Sequence, residues 1–217
     1  MKSTQKKDSL ESVALALGLL ALWALYIVSV AFEYGANELW LNPEEGFFHF
    51  RRLCLLALGL AGGWLLHRNS DGFLRLLGAD QPKTPWLVLG CLWGVCIGIG
   101  SPSTGYTSHG WTLFGMLVWH GVSEEIFFRG FIGTCCNGVV TSPKMAVLLS
   151  ALIYGFYQWT YVSVAEVYPL SSQAYLWGLS VGCVGWPLQM LTQHARSLLP
   201  AFLCRTTAAA VMASGSL

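Results

Sequence analysis

The stretch Trp111-Thr-Leu-Phe-Gly-Met-Leu-Val-Trp-His120-Gly-Val-Ser-Glu124-Glu125-Ile-Phe-Phe-Arg129-Gly-Phe-Ile-Gly-Thr-Cys135 decides how the whole chain is read. Its apolar residues run long enough to cross a hydrocarbon layer, for which about 20 suffice. Its inner half nevertheless carries His120, Glu124, Glu125 and Arg129. Each charge at the middle of such a helix costs about 2.5–3.5 kcal/mol on insertion scales, so three together need a reason. Helical spacing supplies part of it. Glu125 and Arg129 are four apart and can pair on one face, while His120 and Glu124, also four apart, share a neighbouring face. Two adjacent carboxylates in a low-dielectric site resist being ionised together, and a carboxyl poised between its two states can move protons to and from water. A buried Glu125–Arg129 clasp is the structural alternative. The second carboxylate and the histidine beside it favour a polar working site.

Outward from this run the chain repeats the apolar pattern. Further spans are expected at Val13–Phe32, Arg52–Leu66, Trp86–Ile99, Met145–Val164, Gln173–Leu191 and Leu198–Ala213, with the quoted run, Trp111–Cys135, as the fourth. The fold class expected is all-α, a polytopic transmembrane helix bundle of about seven spans. Three of them lie in an N-terminal unit, 1–110, and four in a core, 111–217. Of the 217 residues, 54% are apolar and 11% charged, with 10 Trp. A soluble domain carries about a quarter charged residues, so a separate soluble domain is excluded. The net charge of +1, with no long basic run, gives no ground for a nucleic-acid partner. The partner this composition implies is the lipid bilayer.

Basic residues set the expected orientation. With a cytoplasmic N-terminus, Lys2, Lys6, Lys7, Arg68, Arg75, Lys83, Lys144 and Arg196 share the inner side, against Arg51 and Arg52 outside. Glu33, Glu38, Glu44, Glu45 and Glu166 fall outside. Trp40, Trp86, Trp111 and Trp159 suit headgroup positions. The first run lacks a small-x-small cleavage site and reads as a retained span. A bacterial inner membrane is the expected location. Cys54, Cys91, Cys96, Cys135, Cys136, Cys183 and Cys204 contain no CxxC pair and read as packing residues.

Two other strongly polar residues fall inside spans, Gln158 and Arg205. Arg205 can neutralise Glu124, and Gln158 can donate to a carboxylate or hold a water. For each taken alone, a structural role is the expectation. His49, His67, His109 and His194 sit near span ends or in loops and read as interfacial.

The string Glu124-Glu125-Ile-Phe-Phe-Arg129-Gly130 resembles the EExxFRG motif of the CPBP intramembrane proteases, the CAAX-processing and bacteriocin-processing (Abi) membrane peptidases. Leu149-Ser-Ala-Leu-Ile-Tyr154-Gly-Phe-Tyr-Gln158 is similar to the family's second block, which ends FxxxH. Leu176-Trp-Gly178-Leu-Ser-Val-Gly182 resembles its glycine-rich helix. Ser197-Leu-Leu-Pro200-Ala-Phe-Leu-Cys-Arg205-Thr-Thr-Ala-Ala209 resembles the block that ends HxxxN. The likeness covers about residues 110–213. It implies an endopeptidase in which Glu124 activates water, Glu125 and Arg129 shape and charge-balance the site, and the substrate is a membrane-anchored or C-terminally tagged protein.

The same resemblance exposes departures. Gln158 stands where the first motif histidine belongs, with Tyr154 in place of the phenylalanine before it. Arg205 stands at the second histidine and Ala209 at the asparagine. Glutamine does not titrate and arginine is a fixed cation, so neither repeats what an imidazole does. Zinc needs three or four N, O or S ligands and is not expected here, nor is any other cofactor. His120, one turn before Glu124, can stand in for a missing histidine, and Arg205 can serve as an oxyanion donor. Three functions remain open: a divergent glutamic-type endopeptidase, a catalytically silent relative acting as a membrane scaffold or immunity protein, and a proton-relay or transport protein. Convergence of His120, Glu124, Gln158 and Arg205 on a water-accessible site favours the first. Bidentate contact of Arg205 with Glu124 in a dry core favours the second.

Overall fold

The computed structural model describes residues 2–35, 43–67, 77, 83–100, 110–165 and 172–214. Glu38, Trp40, Arg68, Arg75, His109 and Glu166, used above for belts and orientation, lie outside the described residues, as do the side chains of Glu33, Glu44, Glu45, His49 and Trp111. The described elements are all helices: α1 (Lys2–Gly35), α2 (Pro43–His67), α3 (Thr84–Gly100), α4 (Gly110–Glu124), a π-helical segment (Glu125–Ile132), α5 (Gly133–Val139), α6 (Pro143–Ala165), α7 (Ser172–Ala195) and α8 (Leu199–Ser214). The seven expected runs map onto these helices in order, with α4, the π segment and α5 forming one continuous rod. Among the described residues no helix is long and apolar enough to cross a membrane.

The helices run past the apolar stretches that announced them. Lys2, Lys6 and Lys7, expected ahead of the first span, are helical in α1, because lysine, glutamine and glutamate are good helix formers where no packing opposes them. The two runs that read as short also lengthen, into α2 and α3. Proline and serine mark the starts. Pro85 and Pro200 sit in first turns, where a missing N–H costs nothing, and Ser197 Oγ accepts from the Leu199 N–H at 3.1 Å. α7 is closed by Arg196, just past its end, whose φ of 52° is left-handed. There the Ser197 and Arg196 N–H groups return to Thr192 and Gln193 carbonyls, both at 3.3 Å, a Schellman closure.

Packing follows the small residues. α3 lies along α8 and α6 along α7, while α2 covers the π segment. Gly90, Gly94 and Gly98 put the α3 backbone against the carbonyls of Pro200, Cys204 and Ala208 on α8. On α2, Leu55, Gly59 and Gly62 form one stripe at helical spacing. A Cβ on Gly59 would come 2.9 Å from Phe127 backbone atoms. The core beneath holds Leu55, Phe127, Phe128, Ile132 and Tyr154, all essentially without exposure. α1 joins through Glu11, whose carboxylate packs against Gly138 at the end of the central rod. All seven cysteines are free thiols.

Charged and polar side chains are buried beside this apolar core, and large apolar ones are left on the surface. Arg51, Arg52, Glu124, Glu125, Arg129, Gln158 and Gln189 are buried, whereas Leu17, Leu20, Trp23, Leu92, Ile99, Leu152, Phe156 and Leu179 are exposed. Between α6 and α7 an apolar groove of about 470 Å³ is walled by Leu152, Phe156, Trp159, Leu179 and Trp186. It lies on the α6 face away from Tyr154 and Gln158.

Candidate functional site

The central rod delivers the two glutamates at the point where its winding changes. α4 ends at Glu124 and the π segment begins at Glu125, and the Gly133 N–H reaches back five residues to the Phe128 carbonyl. Such segments inside α-helices recur at functional sites. All eight residues of this one are buried.

Glu124 is the hub. Its Oε1 accepts from His120 Nε2 at 2.7 Å, Gln158 Nε2 at 2.8 Å and Arg52 Nη1 at 3.2 Å. Its Oε2 accepts from the Tyr154 hydroxyl at 2.7 Å and lies 3.7 Å from Arg205 Nη2. Those donors come from three helices, α2, α4 and α6, and α8 adds the charge of Arg205. Glu125, one residue on, faces the other way: Oε1 accepts from Arg205 Nε at 2.9 Å and Oε2 lies 3.4 Å from Arg129 Nε. The two carboxylates, read above as resisting joint ionisation, turn apart and meet guanidinium groups, Arg52 at Glu124, Arg129 at Glu125 and Arg205 between them. The arginines Arg52, Arg129 and Arg205 surround two glutamates.

Tyr154 ties the two halves together. Its hydroxyl gives its one proton to Glu124 and accepts from Gln158 Nε2 at 3.2 Å and from Arg205 Nη2. Arg129 lies over its ring, 4.3 Å from the centroid, a cation–π contact that compensates a guanidinium removed from water. Phe128 meets the same ring edge-on at 4.9 Å. Gly121 leaves room for the Arg205 stem, since a Cβ there would come 2.7 Å from Arg205 Cβ. Replacing Tyr154 by Phe keeps the ring contacts and removes only the hydroxyl. The expected loss is about 1–3 kcal/mol of stability, because acceptors and donors on three residues lose a partner at once. Thermal unfolding of the purified protein in detergent measures it, and an unchanged midpoint would show the hydroxyl to be dispensable.

The sequence-derived candidates are thus brought together: His120, Glu124 and Gln158 in direct contact, Arg205 between the two glutamates, and Arg129 behind Glu125. Arg205 differs in detail from expectation. Its hydrogen bonds go to Glu125 and Tyr154, and its approach to Glu124 is one-sided rather than bidentate. The site is largely dry but reaches the surface at its rim, where the side chains of His120 and Arg205 are 26% and 18% exposed. His194, expected in a loop, belongs to α7, where its ring meets Trp86 and Nδ1 bonds the Met190 carbonyl at 2.8 Å.

Arg52 and Tyr154 were missed as site residues. From sequence Arg52 reads as an outer-side charge at the start of the second span, and instead it is fully buried on the carboxylate. Arg51 beside it is also buried, 5.4 Å from the Tyr157 ring centre. A usable signal existed: these two arginines were the exceptions to the charge rule, and Arg52 shares a helical face with Leu55, Gly59 and Gly62. Tyr154 had been noted only as a departure from phenylalanine.

At the hub, His120 and Glu124 are the side chains of the kinds zinc usually takes, fewer than the three or four it needs, and two guanidinium groups stand within 3.7 Å of the carboxylate. Among the described residues no three His, Cys, Asp or Glu side chains gather as a metal site.

A family model described as type II CAAX prenyl endopeptidase, Rce1-like, matches residues 106–211. No curated protein and no solved structure matches the chain.

Proposed function

Residues 106–211 place the chain in the CPBP/CAAX protease family, and from that premise we propose that it is an intramembrane endopeptidase whose general base is Glu124. The observation that carries this reading is the buried Glu124 carboxylate, held by donors from three helices beside two rim residues that reach the surface. His120 is the donor that a water displaces, because it is the partly exposed one on Oε1. The water then sits between His120 and Glu124. Glu124 takes its proton as the oxygen attacks the peptide carbonyl carbon, and the carbonyl electron pair moves onto oxygen. An Arg205 N–H on the rim steadies that oxyanion. When the C–N bond breaks, the electron pair returns, and the leaving nitrogen takes the proton held by Glu124.

The setting proposed is a bilayer, with α1 to α3 (within 1–110) bracing the core (111–217) and the N-terminus cytoplasmic. The exposed apolar side chains of α1, α3 and α6 around a charged interior support it, since lipid is the solvent in which that arrangement is favourable. The substrate is a membrane-anchored protein cut near a C-terminal tag or a lipid-modified segment.

One observation favours the silent-relative reading. Oε1 already takes three donors and Oε2 one with a guanidinium beside it, so the carboxylate's roughly four acceptor sites are filled. Co-expression with candidate membrane-anchored substrates separates the two. The protease reading expects wild type to process a substrate in the presence of chelators and Glu124→Ala to leave it intact. A wild type that binds a substrate without cutting it would establish the silent relative.

A further inference from the structure

Four of the five groups around Glu124 belong to the family-matched segment, and the fifth does not. Arg52 lies on α2, more than fifty residues ahead of that segment's start, at no measurable exposure. A single nitrogen, Nη1, bridges Glu124 Oε1 at 3.2 Å and the His120 carbonyl at 3.5 Å. It therefore spans one turn of α4 and touches both residues between which the water is to enter. The Ser123 hydroxyl bonds the same carbonyl at 3.0 Å.

α2 is built to hold the arginine there. Arg52, Leu55, Gly59 and Gly62 recur at spacings of three and four and lie on one face. At Gly59 and Gly62 the absence of a Cβ brings α2 onto Phe127 and Phe131 of the π segment, and Leu55 between them and Arg52 is fully buried. Such close packing fixes the helix and leaves its arginine little freedom. Carrying a guanidinium into an apolar interior is costly, and the cost is offset only where an anion awaits it.

We infer that Arg52 is a positioning residue of the Glu124 site, so that the working site is assembled from the N-terminal helices as well as from the matched core. Arg52 sets the carboxylate's orientation toward His120 and fixes the α4 turn that carries both. This inference rests on the reading of Glu124 as the general base, and its test has one arm that does not.

In the first arm, thermal midpoints in detergent are compared for wild type, Arg52→Gln, Glu124→Gln and the double variant. Breaking a buried pair lowers the midpoint by roughly 10 °C for a chain of this size. The expected result is that drop on adding Arg52→Gln to wild type and little further change on adding it to Glu124→Gln. Equal drops in both backgrounds would overturn the inference. In the second arm, processing is measured per folded molecule. Arg52→Gln is expected to lower kcat about 100-fold with KM unchanged, the scale of a small misplacement of a reacting group. Arg52→Lys, which keeps the charge, recovers at least about ten-fold of it. Wild-type rates in Arg52→Gln would make Arg52 structural only and sink the proposal. Where wild type processes nothing, the protease reading fails and the first arm alone decides whether Arg52 belongs to the Glu124 site.

Discussion

Glu124→Gln is expected to reduce processing about 1,000-fold per folded molecule, within the 10²–10⁴-fold range of a lost general base. The substitution keeps the shape of the side chain and removes its capacity to take a proton. It also has a structural cost that follows from the cage. Every hydrogen bond at Glu124 is donated by its neighbour, whether Arg52, His120, Tyr154 or Gln158, and Arg205 adds its charge at 3.7 Å. A glutamine offers one acceptor oxygen where there were two and turns an NH2 toward this ring of donors, of which the guanidinium groups cannot accept at all. The midpoint of unfolding therefore falls along with activity, and rates have to be normalised to folded protein. Processing that survives at wild-type level in both Glu124→Gln and Glu124→Ala would remove Glu124 from the chemistry and pass the role of base to Glu125 or His120.

Gly94→Ala is the second large effect. The α3–α8 seam has no space for a side chain there, because a Cβ would be driven into the Cys204 carbonyl and to 2.9 Å from Thr207 Cβ. A backbone carbonyl in a helix does not swing aside, so the two rods have to separate. The expected cost is about 3 kcal/mol, at the upper end for overpacking. The neighbour of Cys204 is Arg205, so the same displacement draws a guanidinium away from Glu125 and Tyr154. Loss of processing should therefore exceed what the lowered stability explains. Gly182→Ala on the α6–α7 seam is the matched control, since its Cβ would rest 3.6 Å from the Ala151 carbonyl, an ordinary contact. Equal behaviour of the two variants in thermal unfolding would refute the close-approach argument.

What could be read without coordinates was local. His120, Glu124, Glu125 and Arg129 sit on one rod, so helical spacing alone predicts the His120–Glu124 and Glu125–Arg129 pairs, and both are present. Gln158 and Arg205 drew notice because a strongly polar residue inside an apolar run needs a partner. Which partner each takes depends on how α6 and α8 lie against α4, and periodicity along one helix carries no such information. Arg205 consequently pairs with both glutamates, hydrogen-bonding Glu125 at 2.9 Å and standing 3.7 Å from Glu124. Arg52 illustrates the harder case. At the edge of an apolar run a charge looks like the start of a loop, and only the length of α2 reveals that the run continues as helix on both sides of it. The apolar runs announced all seven rods, but their ends belong to residues whose helix propensity, not hydropathy, decides where winding stops.

The π segment has an effect on how this chain can be aligned with others. Its wider turns accommodate one residue more than α-helical winding would between the same two levels. Counting by 3.6 from Glu124 therefore assigns the right neighbours toward the N-terminus and the wrong face to residues beyond Ile132. Deleting one residue between Glu125 and Ile132 would therefore let the rod return to α-helical winding between the same two levels, with its far end unturned. Gly138 would stay against Glu11, and α1 would keep its seat. A one-residue gap in that stretch is absorbed as a change of winding rather than of rotation, so it would leave the same face of the rod on α1.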